Sequence, residues 1–336
     1  MKIECSSCRV QFNIPDQRLP RGKKVAFPCP RCKGVIELDL TVPEPEATGT
    51  DTGSQGFLKG EALKKKILRS IKDLPPMPHT VIKAREIMAD PNSDFKSLAR
   101  LFETDQAIAT KVLKLANSPY YGLGGRVSSI QHASVVLGQK VLGELITMSG
   151  ASGLLSKSLE GYGLDAGALW KHSLAVAFGA KLISELKQPA LANDAFTAGL
   201  IHDAGKLILD KYIAERWQLI EDFMGKEGAT FLDAEKSILE LDHSEAAFEV
   251  CGAWNIPKTL TAAIRYHHSP AKSHDNMLAY IIHVADAIAM MTGLGIGVDS
   301  TFYVMDEKAL EFVGLNETDI NRVMDEIIES IKKISE

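Results

Sequence analysis

Residues 198–209 read AGLIHDAGKLIL. His202, Asp203 and Lys206 stand together in a stretch otherwise made of apolar and small residues, the composition of a segment that builds a core. Burying an unpaired ionisable group costs several kcal/mol. Three such groups must therefore be neutralised by something brought from elsewhere in the chain, and the remaining histidines say what.

Four further segments set the same residue types in apolar helical context: His172 in LWKHSLAVA, His243 in LDHSEAAF, His267 and His268 in IRYHHSP, and Asp286 in HVADAIAM. Any one of these alone reads as a hydrogen-bonded core histidine or carboxylate. Together they form a donor set. Imidazole and carboxylate suit a first-row divalent ion such as iron, manganese or zinc. A carboxylate next to an imidazole, as in His202-Asp203, lets one helix give a ligand to each of two adjacent metals. His283, one turn before Asp286, reads either as an outer partner that orients it or as a plain core residue. His79, His132 and His274 read as structural or exposed, and Cys251 as inert packing.

Around this set the chain is helical almost throughout. The segments 61–74, 95–117 and 128–155 space apolar residues three and four apart. LPPMP at 74–78, DPNS at 90–93, SPYYGLGG at 118–125 and GYG at 161–163 break the pattern. No period-2 strands follow residue 60, so the main body is expected to be all-α. The apolar run at 277–298 is long enough for a bilayer span but carries His283 and Asp286, which makes it a buried helix instead. Residues 316–336 read as a charged amphipathic helix, acids leading and lysines trailing as the helix dipole favours, and as a terminal cap in preference to a partner-binding helix. With 336 residues, 45% hydrophobic content and a net charge of −5, the chain has a sizeable core and no global basic excess for nucleic acid. No apolar leader is visible at the N-terminus, which with the cysteine usage points to a reducing cytoplasm.

Four of the five cysteines fall in two close pairs, Cys5/Cys8 and Cys29/Cys32, with twenty residues between the pairs. That spacing supplies the four thiolates of a tetrahedral structural zinc. RVQFNIP and GVIELDL alternate like short strands, so residues 1–40 read as a small β zinc ribbon stabilised by its ion. The ribbon resembles the zinc-ribbon fingers found at the N-termini of many bacterial proteins. Residues 41–57, rich in Pro, Glu, Thr, Gly and Ser, read as a flexible linker.

The order His172…His202-Asp203…Asp286 resembles the signature of the HD superfamily of metal-dependent phosphohydrolases. With His243, His267 and His268 added, it resembles the fuller order of the HD-GYP branch. The text from LPPMPHTVIKAREIMADPNS through ANSPYYG and VSSIQHASVVLGQKVL is similar to the HDOD domain, the HD-related output domain of bacterial signalling proteins. These resemblances imply an HDOD domain over 58–297, with an N-terminal helical part at about 58–160 and an HD-like metal-site part at about 161–297, then a helical tail at 298–336. They imply one metal on His172, His202, Asp203 and Asp286, and a second on His243, His267 and His268 with Asp203 bridging. Asp203 and Lys206 would be catalytic, the lysine reaching a phosphate oxygen. HHSPAKSHDNMLAY lacks the glycine-tyrosine-proline loop of HD-GYP proteins, and Ala168 stands where some of them carry a glutamate for a third metal, so the implied site is dinuclear. The expected function is signal transduction through hydrolysis or binding of a phosphoester or nucleotide. The alternative is a non-catalytic module docking signalling partners. Neither membrane nor nucleic acid is expected as a partner.

Overall fold

The computed structural model describes residues 2–4, 11–13, 24–28, 35–39 and 58–335, except 90–94, 104, 124–126, 227 and 300–304. The chain divides into two compact units, Met1–Phe57 and Leu58–Glu336.

In the first unit, strand β1 (Lys2–Glu4) pairs antiparallel with β2 (Gln11–Asn13), setting Ile3 opposite Phe12. Strand β3 (Lys24–Pro28) pairs in the same sense with β4 (Val35–Asp39), setting Phe27 opposite Ile36. In sequence, each cysteine pair falls between the two strands of one hairpin. Cys5, Cys8, Cys29 and Cys32 themselves, and the expected linker, lie outside the described residues.

The second unit is helical, its only strand-like pairing among the described residues being the bridge between Leu159 and Leu164. Its first part holds α1 (Gly60–Arg69), α2 (His79–Ala89), α3 (Phe95–Glu103), α4 (Gln106–Ala116) and α5 (Ile130–Leu155). The apolar pattern at 95–117 is cut into α3 and α4 by Asp105, an N-cap that accepts from Ile108 N at 3.1 Å and from Thr80 Oγ1 at 2.8 Å. Helix α5 breaks at Gly138, whose φ of 80° puts the chain in a region open to glycine.

The second part runs through α6 (Ala168–Lys187), α7 (Ala192–Ile201), α8 (Lys206–Glu215), α9 (Trp217–Met224), α10 (Phe231–Leu239) and α11 (His243–Ala253). It continues with α12 (Lys258–Arg265), α13 (Met277–Met291), α14 (Glu307–Val313) and α15 (Glu317–Ser335). Helix α6 packs against α7, α13 and α15, and α13 also meets α7 and α12. The apolar run thus becomes α13, a helix buried on nearly every side, and no helix among the described residues is long and apolar enough to cross a membrane. Helix α15 buries Val323, Ile327 and Ile331, each contributing roughly 1.5–3 kcal/mol of transfer free energy. Lys187 ties α6 to it through Asp319 at 2.8 Å.

Two glycines of the AGLIHDAGKLIL stretch let its helices come this close. A Cβ at Gly199 would lie 3.0 Å from the main chain of Ala177, so α7 lies directly on α6. At Gly205 a Cβ would fall 2.0 Å from the His243 carbonyl oxygen and 2.5 Å from Ala247 N, so the start of α8 presses on α11 with no room for a side chain.

Candidate metal centre

The site collects residues from six helices and the turns that follow them. Helix α6 carries His172; the end of α7 runs through His202 and Asp203 into Lys206 at the start of α8. His243 is the first residue of α11, held there by a capping box between Asp242 and Glu245, with Asp242 Oδ1 accepting from Glu245 N at 2.8 Å. His267 and His268 follow α12, and Asp286 lies within α13. His172, His202, Asp203, His243, His267 and Asp286 are each at most 3% exposed. His268 is half-buried and forms the outer edge.

Asp203 is the centre. Its Oδ2 lies 3.7 Å from His172 Nε2 and 3.4 Å from His202 Nε2, while Asp286 Oδ1 is 3.0 Å from His172 Nε2 and 3.8 Å from His202 Nε2. Its Oδ1 faces the other way, 3.5 Å from His243 Nε2 and 4.0 Å from His267 Nε2. Ligand atoms of His172, His202 and Asp203, of His202, His267 and Asp286, and of His243, His267 and His268 lie within 4.8 Å of one another in each group. All seven residues singled out in the sequence as ligands are therefore brought together.

The imidazoles are held with Nε2 inward. His202 Nδ1 donates to the Gly199 carbonyl at 2.8 Å, His267 Nδ1 to the Ile264 carbonyl at 2.6 Å, and His243 Nδ1 to Glu235 Oε2 at 2.8 Å. This is the outer support that metal-ligating histidines need, because it fixes the tautomer and aims the ring. Several atoms of the cluster have no hydrogen-bond partner: Nδ1 of His172, Nε2 of His202 and His267, Oδ1 of Asp203 and Oδ2 of Asp286. Buried polar atoms are rarely left in that state. The donor chemistry, the inward aim and the orphaned atoms all fit divalent cations, and the buried His/Asp clusters can hold a metal.

The electrostatics agree. Burial raises the Asp203 carboxyl, but His202, Lys206 and His243 outweigh it and hold the group well below its usual range. Asp286 is likewise held low against burial by His172 and His202. Burial and neighbouring imidazolium charge push His267 down to about 3 and His268 well below the ordinary value, keeping both neutral and able to ligate. His243 moves the other way. Burial lowers it, yet Glu235 and Asp203 raise it to about 9. Without metal it is an imidazolium that donates from Nδ1 to Glu235 and from Nε2 to His268 Nε2 at 2.7 Å.

Two supporting residues escaped the sequence reading. Glu235, fully buried, accepts from His243 N at 2.8 Å, from His243 Nδ1, and from Tyr162 Oη at 2.6 Å. Its signal was present: Glu235 lies on the apolar face of α10, four residues from both Phe231 and Leu239. Asp299 has no such signal, being one carboxylate in a loop; it accepts from Lys206 Nζ at 2.5 Å. Lys206 is only 3% exposed, and its ammonium also lies 2.7 Å from Asp203 Oδ2. His283 hydrogen-bonds elsewhere than Asp286: Nδ1 donates to the His267 carbonyl at 2.7 Å, and Nε2 accepts from Asp306 N at 2.9 Å. It steadies the main chain of a different residue of the cluster. His79, His132 and His274 are exposed, and Cys251 is buried, as expected.

A helical body enclosing a His/Asp cluster of this kind defines the class. The HDOD domain profile matches residues 74–270, and the chain belongs to the HDOD family. It is 23% identical over 208 residues to an uncharacterized protein of Treponema pallidum (strain Nichols), covering 62% of this chain and 40% of that relative, well short of the relative's full length. An HDOD domain protein of unknown function from Geobacter sulfurreducens superposes with a TM-score of 0.66 at 26% identity, over 81% of this chain and 94% of its own. A candidate phosphohydrolase from Shewanella amazonensis SB2B shares the fold with a TM-score of 0.63 at 21% identity, over 80% of this chain and 97% of its own.

Proposed function

We propose that the cluster holds two divalent cations bridged by Asp203, and that the chain is a metal-dependent phosphohydrolase acting on a phosphoester or nucleotide in bacterial signalling. His172, His202 and Asp286 would hold one ion with Asp203 Oδ2; His243, His267 and His268 would hold the other with Asp203 Oδ1. The observation that carries this reading is the two-sided environment of Asp203, whose oxygens face separate imidazole sets with their Nε2 atoms turned inward. When bound, such ions supply Lewis acidity toward a phosphoryl oxygen and lower the pKa of a water.

The chain's own groups would do the rest. Lys206, clamped between Asp203 and Asp299, neutralises the bridging carboxylate and fixes its orientation. For its ammonium to reach a phosphate oxygen, Asp299 must first let go. Glu235 holds His243 in place, and His283 holds the main chain of His267. Substrate would arrive past His268, the half-buried member of the set. In the first unit, Cys5, Cys8, Cys29 and Cys32 would hold a structural zinc, making residues 1–40 a finger joined by a linker at 41–57 to the HDOD body at 58–297 and a tail at 298–336.

The test is elemental analysis of the native protein followed by assay of phosphodiesters and nucleotides with manganese, iron and zinc. Turnover that disappears in Asp203→Ala, with both the fold and the cysteine-bound zinc retained, is expected. Full metal occupancy with no turnover under any ion removes the hydrolase reading.

That outcome would favour a second reading, a non-catalytic signalling module in which the metal is structural. The near-complete burial of six of the seven ligands speaks for it, since substrate access is restricted to one edge. Partner capture that survives Asp203→Ala but is lost on deleting residues 1–57 would identify that module.

A further inference from the structure

A cavity of about 750 Å³ lies between α4, the turn that follows it, α5, the start of α6 and the end of α15. Its volume is in the range of small-molecule sites. Among the described residues no aspartate or glutamate lines it, although the chain carries more acidic than basic residues, while Lys111 and Lys114 both do. The two lysines stand three apart on α4 and so share a face. Both are exposed, and neither forms an ion pair among the described residues. The Lys111 ammonium reaches over α5 to within 3.8 Å of where a Cβ would stand at Gly153. Trp170, half-buried, contributes an aromatic surface to the same wall.

The turn after α4 is rigid. Asn117 Nδ2 donates to the Leu113 and Val127 carbonyls at 2.8 and 2.9 Å, and Asn117 Oδ1 accepts from Val127 N at 2.8 Å. Next to it, Ser118 lines the cavity, and its Oγ is buried without a hydrogen-bond partner. Two lysines without a described acidic neighbour and an indole around one pocket suit an anion attached to a flat ring. We propose that this cavity binds a nucleotide, its phosphates on Lys111 and Lys114 and its base against Trp170. The site is separate from the metal centre. Trp170 and His172 are two residues apart on α6 and point to different faces, so a ligand here would touch the helix that carries His172 from its far side.

The experiment is calorimetric titration of the full chain with ATP, GTP, CTP and UTP, repeated with Lys111→Glu/Lys114→Glu, with Asp203→Asn, and with Lys65→Glu/Lys72→Glu as a control of equal charge change at exposed positions. At least one triphosphate is expected to bind wild type and the control alike, to retain binding in Asp203→Asn, and to bind at least ten-fold more weakly to Lys111→Glu/Lys114→Glu. The corresponding nucleoside and inorganic triphosphate should each bind more weakly than the intact nucleotide, and ligand-induced quenching of tryptophan fluorescence should fall in Trp170→Phe. Circular dichroism of each variant separates lost binding from lost folding. Absence of binding by all four nucleotides overturns the proposal, as does binding that survives Lys111→Glu/Lys114→Glu. Binding lost in Asp203→Asn would place the nucleotide at the metal cluster instead, and inorganic triphosphate binding as tightly as the nucleotide would remove the base contact.

Discussion

Replacing Glu235 by alanine probes the support of the metal centre most sharply. The carboxylate accepts three bonds in a fully buried position: from His243 N, from His243 Nδ1 and from Tyr162 Oη. Each donor left unsatisfied in that environment costs about 1–3 kcal/mol. The three share one acceptor and will not add fully, so the loss should come to about 3–5 kcal/mol. Glu235→Gln keeps one carbonyl acceptor but turns an N–H toward groups that themselves donate, and should lose about 1–3 kcal/mol. Both variants release the His243 ring, which should weaken metal binding by about 10–100-fold. Urea unfolding followed by circular dichroism measures the first effect, and competition with a chromophoric chelator the second. A Glu235→Ala protein with the unfolding midpoint and metal affinity of wild type would refute the reasoning, because nothing else among the described residues hydrogen-bonds His243 Nδ1.

Three further outcomes follow from the same geometry. Gly205→Ala drives a methyl group into the His243 main chain, an overpacking worth about 1–3 kcal/mol that should also lower metal affinity; a wild-type unfolding midpoint contradicts it. Lys206→Met strands Asp203 and Asp299 without a counter-charge and should cost about 3–5 kcal/mol in metal-free protein but less once metal is bound, which denaturation with and without chelator compares. His243, raised from 6.5 to about 9, carries a proton at neutral pH in the metal-free protein, and that proton must leave Nε2 for the atom to ligate. Its charged form therefore stabilises the metal-free fold most fully below 6.5, a contribution lost as pH rises through about 9. Metal affinity should rise over the same interval, and calorimetry near pH 7 in buffers of different ionisation heat should register proton release; binding without it contradicts this assignment.

The helical body was legible because its signal is local. Apolar spacing and breakers located the helices, and the Asp105 cap that divides 95–117 is a side-chain effect a periodicity reading passes over. The His/Asp cluster was legible for a different reason: histidine and aspartate inside apolar helices are costly unless something offsets them, so they mark themselves. What supports them does not. Asp299 reaches Lys206 across 93 residues from a loop with no pattern of its own, and only the fold brings the two together. His283 illustrates a limit of helical spacing, since two residues a turn apart share a face yet bond to whatever the neighbouring segments present. Here that was the His267 carbonyl. The close approach at Gly205 was equally hidden, because its φ of −63° is ordinary and only the presence of α11 excludes a side chain.

The most direct test is anomalous diffraction from crystals of the full chain, recorded on both sides of the absorption edges of manganese, iron and zinc. Two peaks are expected beside Asp203, one toward His172, His202 and Asp286 and one toward His243, His267 and His268. A metal-replete crystal with no peak there, or with a single peak that leaves one of the Asp203 oxygens without an ion, would contradict the bridged pair.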